Sequence, residues 1–260
     1  MSIDRNLLRQ YLRQLSDLGV DELCFDGLSA RDALDLLAHR RAPTQPASPT
    51  TARAAAHVAS APPVADRSPM NGTDAAARLR VLADRAAGCT LCRLHAGRST
   101  VVFGEGSASA DLVVVGEAPG QEEDRTGRPF VGRAGKLLDL LLMTAGFPRA
   151  MVYICNVLKC RPPDNRNPLP DEVSPCTTTF LHGQLEAIAP RVLLAVGRFA
   201  AQALLGSEES IGRLRGRVHT YRGTPLIVTY HPAYLLRSPQ NTRAAWQDLQ
   251  LVRRVLDEQA

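Results

Sequence analysis

The chain has 260 residues, 45% of them apolar and 22% charged, which excludes whole-chain disorder, a collagen repeat and a coiled coil. No apolar run approaches the ~20 residues that span a bilayer, and the charged N-terminus is not a secretory signal, so a soluble, cytoplasmic protein is expected. The net charge of +5 is uneven: residues 1–75 carry 8 Lys/Arg and 9 Asp/Glu, and residues 76–260 carry 23 and 17, which fits an anionic partner for the second part.

In chain order, Ile3, Leu7, Leu8, Tyr11, Leu12, Leu15 and Leu18 form one helical stripe over 2–18. A second short helix starts at Ser29, which can cap it with Asp32 three residues on. Two such helices cannot bury a core alone, so 1–41 reads as a packing or dimerising appendage. Between 43 and 70, 20 of 28 residues are Ala, Pro, Ser or Thr, and none is Leu, Ile, Phe, Tyr or Trp. Burial there cannot offset the entropy of ordering, so 42–73 reads as a disordered linker.

The domain from 74 to 260 alternates. Strands are predicted at Leu112–Val115, Val152–Val157, Val192–Val196 and Leu226–Thr229, and helices over 134–146, 171–189, 198–205 and 242–258. Continuous apolar strands between helices imply a three-layer α/β/α sandwich around a short, mainly parallel four-stranded sheet. In such sheets the active groups stand at the carboxyl ends of the strands. The polar motifs fall there: Gly116-Glu117-Ala118-Pro119-Gly120 after the first strand, Asn156 near the end of the second, and His231-Pro232 after the fourth.

Cys89-x2-Cys92 is a chelating pair, and Cys160 and Cys176 supply two further thiolates. An intracellular protein does not rely on disulfides, so these four read as a tetrathiolate metal site, for which spacing admits either Zn²⁺ or an iron–sulfur cluster. Cys155, inside an apolar strand, and Cys24, in the appendage, read as structural thiols.

Five motifs in order resemble the family 4 uracil-DNA glycosylases, the iron–sulfur group of the uracil-glycosylase superfamily. They are Val102-Phe103-Gly104-Glu105-Gly106, the run Gly116–Asp124, the run Gly127–Gly135, Asn156–Pro163 with Asn165-Arg166, and His231–Arg237. The likeness spans roughly 80–256 and leaves 1–70 uncovered. It implies a [4Fe-4S] cluster on Cys89, Cys92, Cys160 and Cys176. It also implies a nucleoid-associated monomer acting on uracil-containing DNA, single- or double-stranded, with no membrane partner.

Each matched residue has a chemical reason to be there. Phe130 offers a stacking face for an extruded base, beside Gly116 and Ala118. The Asn156 carboxamide can match uracil O4 and N3–H together, an edge that cytosine frustrates. His231 can donate to uracil O2 as charge builds there. Family 1 enzymes carry an aspartate where this chain has Ala118, so Glu117 is assigned to water positioning or cation stabilisation and Glu123 to the C5 side of the pocket. Asn165 matches a position that supports activity in the family. Leu235 or Leu236 could fill the vacated stack while Arg237 meets phosphate, and Arg213, Arg215, Arg217 and Arg222 form a second candidate phosphate surface. No lysine is placed to form an imine, so a monofunctional enzyme is expected.

The rival readings are a non-catalytic iron–sulfur adaptor, a relative that traps uracil covalently through a histidine on an inserted loop, and a nucleotide-cofactor protein. Intact Asn156 and His231 oppose the first. The direct step from Cys160-Arg161-Pro162-Pro163 to Asn165-Arg166-Asn167 opposes the second, and glycines that precede their strand oppose the third.

Overall fold

The computed structural model describes residues 72–259. The helices expected over 2–18 and from Ser29, and the linker as far as 71, lie outside the described residues.

Six strands form one sheet: β1 (Glu105–Gly106), β2 (Leu112–Gly116), β3 (Tyr153–Asn156), β4 (Val192–Val196), β5 (Val218–Tyr221) and β6 (Thr224–Thr229), in the order β1-β3-β2-β4-β6-β5. The four predicted strands are the parallel centre, with Gly116 opposite Asn156 and Val115 opposite Ala195. Two antiparallel edge strands extend the expected four to six: β1 on β3, and β5 on β6 across the Arg222-Gly223 turn.

Residues in β2 and β4 are buried on both faces, which is why those strands read as unbroken apolar runs. Val113, Val115, Leu193 and Ala195 face one layer, shared with α1 (Gly72–Ala87), α5 (His182–Ile188), α6 (Arg198–Leu205) and α7 (Ile211–Leu214). Their neighbours Leu112, Val114, Val192 and Leu194 point the other way. There α9 (Thr242–Glu258) packs on β4 and β6 and against α3 (Arg133–Thr144). Each fully buried Val or Leu contributes ~1.5–3 kcal/mol relative to exposure.

The helix expected over 171–189 is interrupted. It runs as α4 (Pro170–Cys176), one π-turn over Thr177–Leu181, and then α5. Pro175 lacks the N–H that a regular ladder needs, and the wider turn follows directly at Cys176. Among the described residues no helix is long and apolar enough to cross a membrane.

Candidate functional site

A cleft of about 450 Å³ opens beyond the carboxyl ends of the parallel strands. Its walls include Glu117, Ala118, Glu123, Phe130, Asn156 and His231, brought together from segments up to 114 positions apart in sequence. Gly116, at the end of β2, lies against two of those walls, Asn156 and Phe130. A Cβ there would clash with Asn156 Oδ1 and come within 2.5 Å of the Phe130 ring, so the two side chains converge only because position 116 has none.

Phe130 adopts φ 50°, a left-handed conformation that costs a bulky residue ~1–2 kcal/mol. Hydrogen bonds on both sides hold it. Glu123, on α2 (Gln121–Thr126), accepts through Oε1 from the backbone N–H groups of Val131 (2.8 Å) and Gly132 (2.9 Å) at the start of α3. Arg149 donates to the carbonyls of Pro129 (2.6 Å) and Phe130 (3.2 Å). Arg149 is itself anchored on Glu105 (2.6 Å) and Asp139 (2.6 Å). Gly135 completes the clamp, since any Cβ there would strike the Phe130 carbonyl. Glu123 thus lines the cleft with its carboxylate committed to the loop that carries Phe130. Arg149 was not among the residues read from the sequence; it bonds main-chain carbonyls, which leave no mark in residue patterns.

Asn156 ends β3 and is 1% exposed, and its buried Oδ1 has no hydrogen-bond partner among the described residues. An unpaired buried acceptor costs ~1–3 kcal/mol, so it is expected where a ligand donor completes it. His231 caps α8 (Pro232–Leu235): its Nδ1 accepts from the Ala233 N–H at 3.1 Å. Burial, reinforced by Arg237 and opposed by Glu123, pushes His231 down to about 4, so the ring is neutral at pH 7. With Nδ1 accepting, that network assigns the single proton to Nε2, leaving one N–H to donate. The ring lies 5.8 Å from that of Phe130.

Burial pushes the Glu117 carboxyl up to about 7, against the pull of Arg198. It stands between the main cleft and a second cavity of about 240 Å³ bordered by Pro168, Pro170 and Phe199. Asn165 lies on the rim, exposed, at φ 52°, with its Oδ1 accepting from Arg161 Nε at 2.8 Å. Beside it Arg166 makes two bonds to buried Glu172 (2.5 and 2.9 Å), fixing the loop between Cys160 and Cys176. The Arg166 guanidinium holds Glu172 below the usual carboxylate range.

The segment after His231 needs a correction. Leu235 is 1% exposed and packs inward from α8, so it cannot wedge into DNA. Leu236 is half-buried, while Arg237 and Tyr234 (37% exposed) line the cleft. Tyr234 stacks on Tyr230 at 5.1 Å and accepts from Asn241 Nδ2 at 3.0 Å. The arginine run is also no single patch. Arg215 turns inward onto buried Asp248 (2.9 Å) and over the Tyr230 ring, Arg217 meets Glu209, and Arg222 bonds Glu186.

The four predicted ligand cysteines, Cys89, Cys92, Cys160 and Cys176, line one small cavity. Two N–H···S bonds reach them, from Arg98 to Cys160 and from the Lys159 main chain to Cys176, both 3.3 Å. Among the described residues, no three His, Cys, Asp or Glu groups are gathered closely enough to hold a single metal ion. Cys155 is a buried structural thiol, as expected.

Residues 103–250 match the family model of the uracil DNA glycosylase superfamily. The chain is 48% identical over 165 residues to the type-4 uracil-DNA glycosylase of Thermotoga maritima, covering 63% of this chain and 85% of that one. It is 46% identical over 160 residues to the enzyme of that name from Archaeoglobus fulgidus, covering 58% and 80%. To that of Saccharolobus solfataricus it is 39% identical over 187 residues, covering 68% and 86%. A cleft of this make-up at the carboxyl ends of a parallel sheet, together with these likenesses, places the chain in the uracil DNA glycosylase superfamily, within its type-4 family.

Proposed function

We propose that this protein is a monofunctional uracil-DNA glycosylase that extrudes uracil from DNA, hydrolyses its N-glycosidic bond and leaves an abasic site. The observation that carries the reading is the convergence on one cleft of Phe130, the unpaired Asn156 Oδ1 and a neutral His231, the first two meeting over side-chain-free Gly116. Extrusion costs a few kcal/mol, which stacking on Phe130 and the two contacts to Asn156 offset. The same contacts reject cytosine, whose edge would leave a buried amide unpaired. His231 Nε2–H donates to uracil O2, where negative charge develops as the C1′–N1 bond breaks, and a neutral donor costs no prior deprotonation. Glu117, ionised above about pH 7, orients water or supports the cationic sugar. Glu123 and Arg149 hold Phe130, while Asn165, Arg237 and Tyr234 flank the DNA strand at the rim. The chain's two lysines are Lys136, exposed on α3, and Lys159, buried; neither lines the cleft, which supports a reaction without an imine.

Cys89, Cys92, Cys160 and Cys176 would hold a [4Fe-4S] cluster. Four thiols around one cavity are the donor set that such a cluster takes. When bound, the cluster supplies a cross-link between the segment before β1 and the loop after β3 rather than an electron. The partner is uracil-containing DNA, single- or double-stranded, and the protein acts as a soluble, nucleoid-associated monomer, with 1–41 as an appendage joined through the linker 42–73.

The test is incubation of purified protein with a uracil-containing oligonucleotide and a thymine control, followed by hot alkali. Alkali-dependent cleavage of the uracil strand alone is expected. DNA binding without cleavage, iron retained, would favour the adaptor reading; strand breakage without alkali would overturn the monofunctional assignment.

A further inference from the structure

Lys159 is among the largest fully buried side chains of the described residues, at 1% exposure. Burying an ammonium costs several kcal/mol unless it is bonded and balanced. Among the described residues no carboxylate pairs with it. Its Nζ instead donates to the main-chain carbonyl of Asn156 at 2.7 Å, with the Phe103 ring 5.8 Å away. Its main-chain N–H donates to Cys176 Sγ at 3.3 Å, its carbonyl accepts from Val102 N–H at 2.8 Å, and the residue lines the cavity of the four cysteines. One residue therefore touches the cysteine centre and the backbone of the base-reading asparagine.

That placement matters because an amide that must meet two uracil atoms at once depends on its own main chain, and ~0.5 Å of looseness would spoil both contacts. Asn156 is fixed on one side by its pairing with Gly116. On the other side its carbonyl lies beyond the last sheet pair, and Lys159 Nζ is the side-chain donor that holds it.

Resting on the glycosylase reading, we propose that Lys159 is a positioning residue that ties the cysteine centre to Asn156, so that the centre's integrity is felt as uracil affinity. The Lys159 Nζ fixes the carbonyl, and its main-chain N–H ties the same residue to Cys176. The cysteine centre thus serves the base pocket through a single side chain as well as by holding loops.

The test compares the unaltered holoenzyme with Lys159→Met and Lys159→Gln, of which only the glutamine can still donate towards the Asn156 carbonyl. Iron per chain, melting temperature, kcat, KM on a uracil oligonucleotide and inhibition by free uracil are measured. With iron and melting near those of the unaltered chain, Lys159→Met should raise KM and the inhibition constant of uracil about tenfold, as loss of one hydrogen bond to a charged group does, with kcat within about threefold. Lys159→Gln should recover part of that loss. Should the methionine variant lose its iron, the glutamine variant decides on the same readouts. Unchanged uracil inhibition in an iron-loaded variant would overturn the proposal, as would loss of iron in both variants, which would confine Lys159 to the cysteine centre. An unaltered holoenzyme that neither cleaves nor binds uracil would instead overturn the glycosylase reading.

Discussion

Glu117→Gln separates what the site gains from a buried carboxyl from what the fold loses by it. Burial moves this carboxyl from 4.5 to about 7, a difference of about 3 kcal/mol between its two protonation states, and an upper bound because the group keeps some contact with water. The sign follows from proton binding. Between pH 4.5 and 7 the folded chain holds this proton more tightly than the unfolded chain does, so stability falls as pH rises through that window and the full penalty stands above pH 7. Glutamine carries no charge to desolvate. The variant should melt higher than the unaltered protein at pH 8, by roughly 5–10 °C at the upper bound, and at nearly the same temperature at pH 4.

Activity should move the other way. If the ionised carboxylate orients water or supports the sugar cation, kcat/KM of the unaltered enzyme should fall about tenfold per pH unit below about 7. Glu117→Gln should lose about a hundredfold or more at pH 8. Its residual activity should be flat between pH 5 and 8, because His231, held near 4, does not titrate there. Single-turnover cleavage and thermal melts on the same samples measure both quantities. An acid limb that persists in the variant, or a melting gain equal at pH 4 and pH 8, would refute the assignment of that limb to Glu117.

Asn156→Asp replaces the donor to uracil O4 with a second acceptor and should lower kcat/KM on uracil DNA at least a hundredfold, read by single-turnover cleavage. Arg149→Met should free Phe130 from φ 50° and leave Asp139 without its partner, while Glu105 keeps Arg128; we expect KM to rise about tenfold and stability to fall by about 1–3 kcal/mol, with Arg149→Lys restoring part of both. Cys176→Ser should abolish iron binding and lower the melting temperature of the full chain, whereas Cys155→Ser should leave iron per chain unchanged.

The centre of the sheet was legible because parallel strands covered on both faces need unbroken apolar runs, and Val113-Val114-Val115 or Leu193-Leu194-Ala195 suit little else. The edges were not. β1 is a two-residue Glu-Gly pair, and β5 leaves Val218 47% exposed, so neither presents an apolar pattern. The stretch 171–189 has the composition of one helix; only Pro175 hints at the π-turn that follows Cys176. In the site, side chains that would touch the base were readable because each carries its chemistry in its residue type. Of the two candidate wedges, Leu235 proves to be core, as one of a Leu-Leu pair after a strand more often is, because α8 turns it inward.

What the sequence hides is the second rank of residues, and their bonds share one feature. Arg149 grips the Pro129 and Phe130 carbonyls, Glu123 the Val131 and Gly132 amides, and Lys159 the Asn156 carbonyl. All five bonds end on main chain, which every residue possesses, so no partner's identity betrays them. The same bonds account for how a phenylalanine can occupy a conformation that favours glycine. Only a side chain of that size closes over Gly116, and a clamp of four backbone bonds can offset a cost of ~1–2 kcal/mol. Phe130 and the Asn156 main chain are therefore held before any base enters, and discrimination between uracil and cytosine can act on an edge already in place.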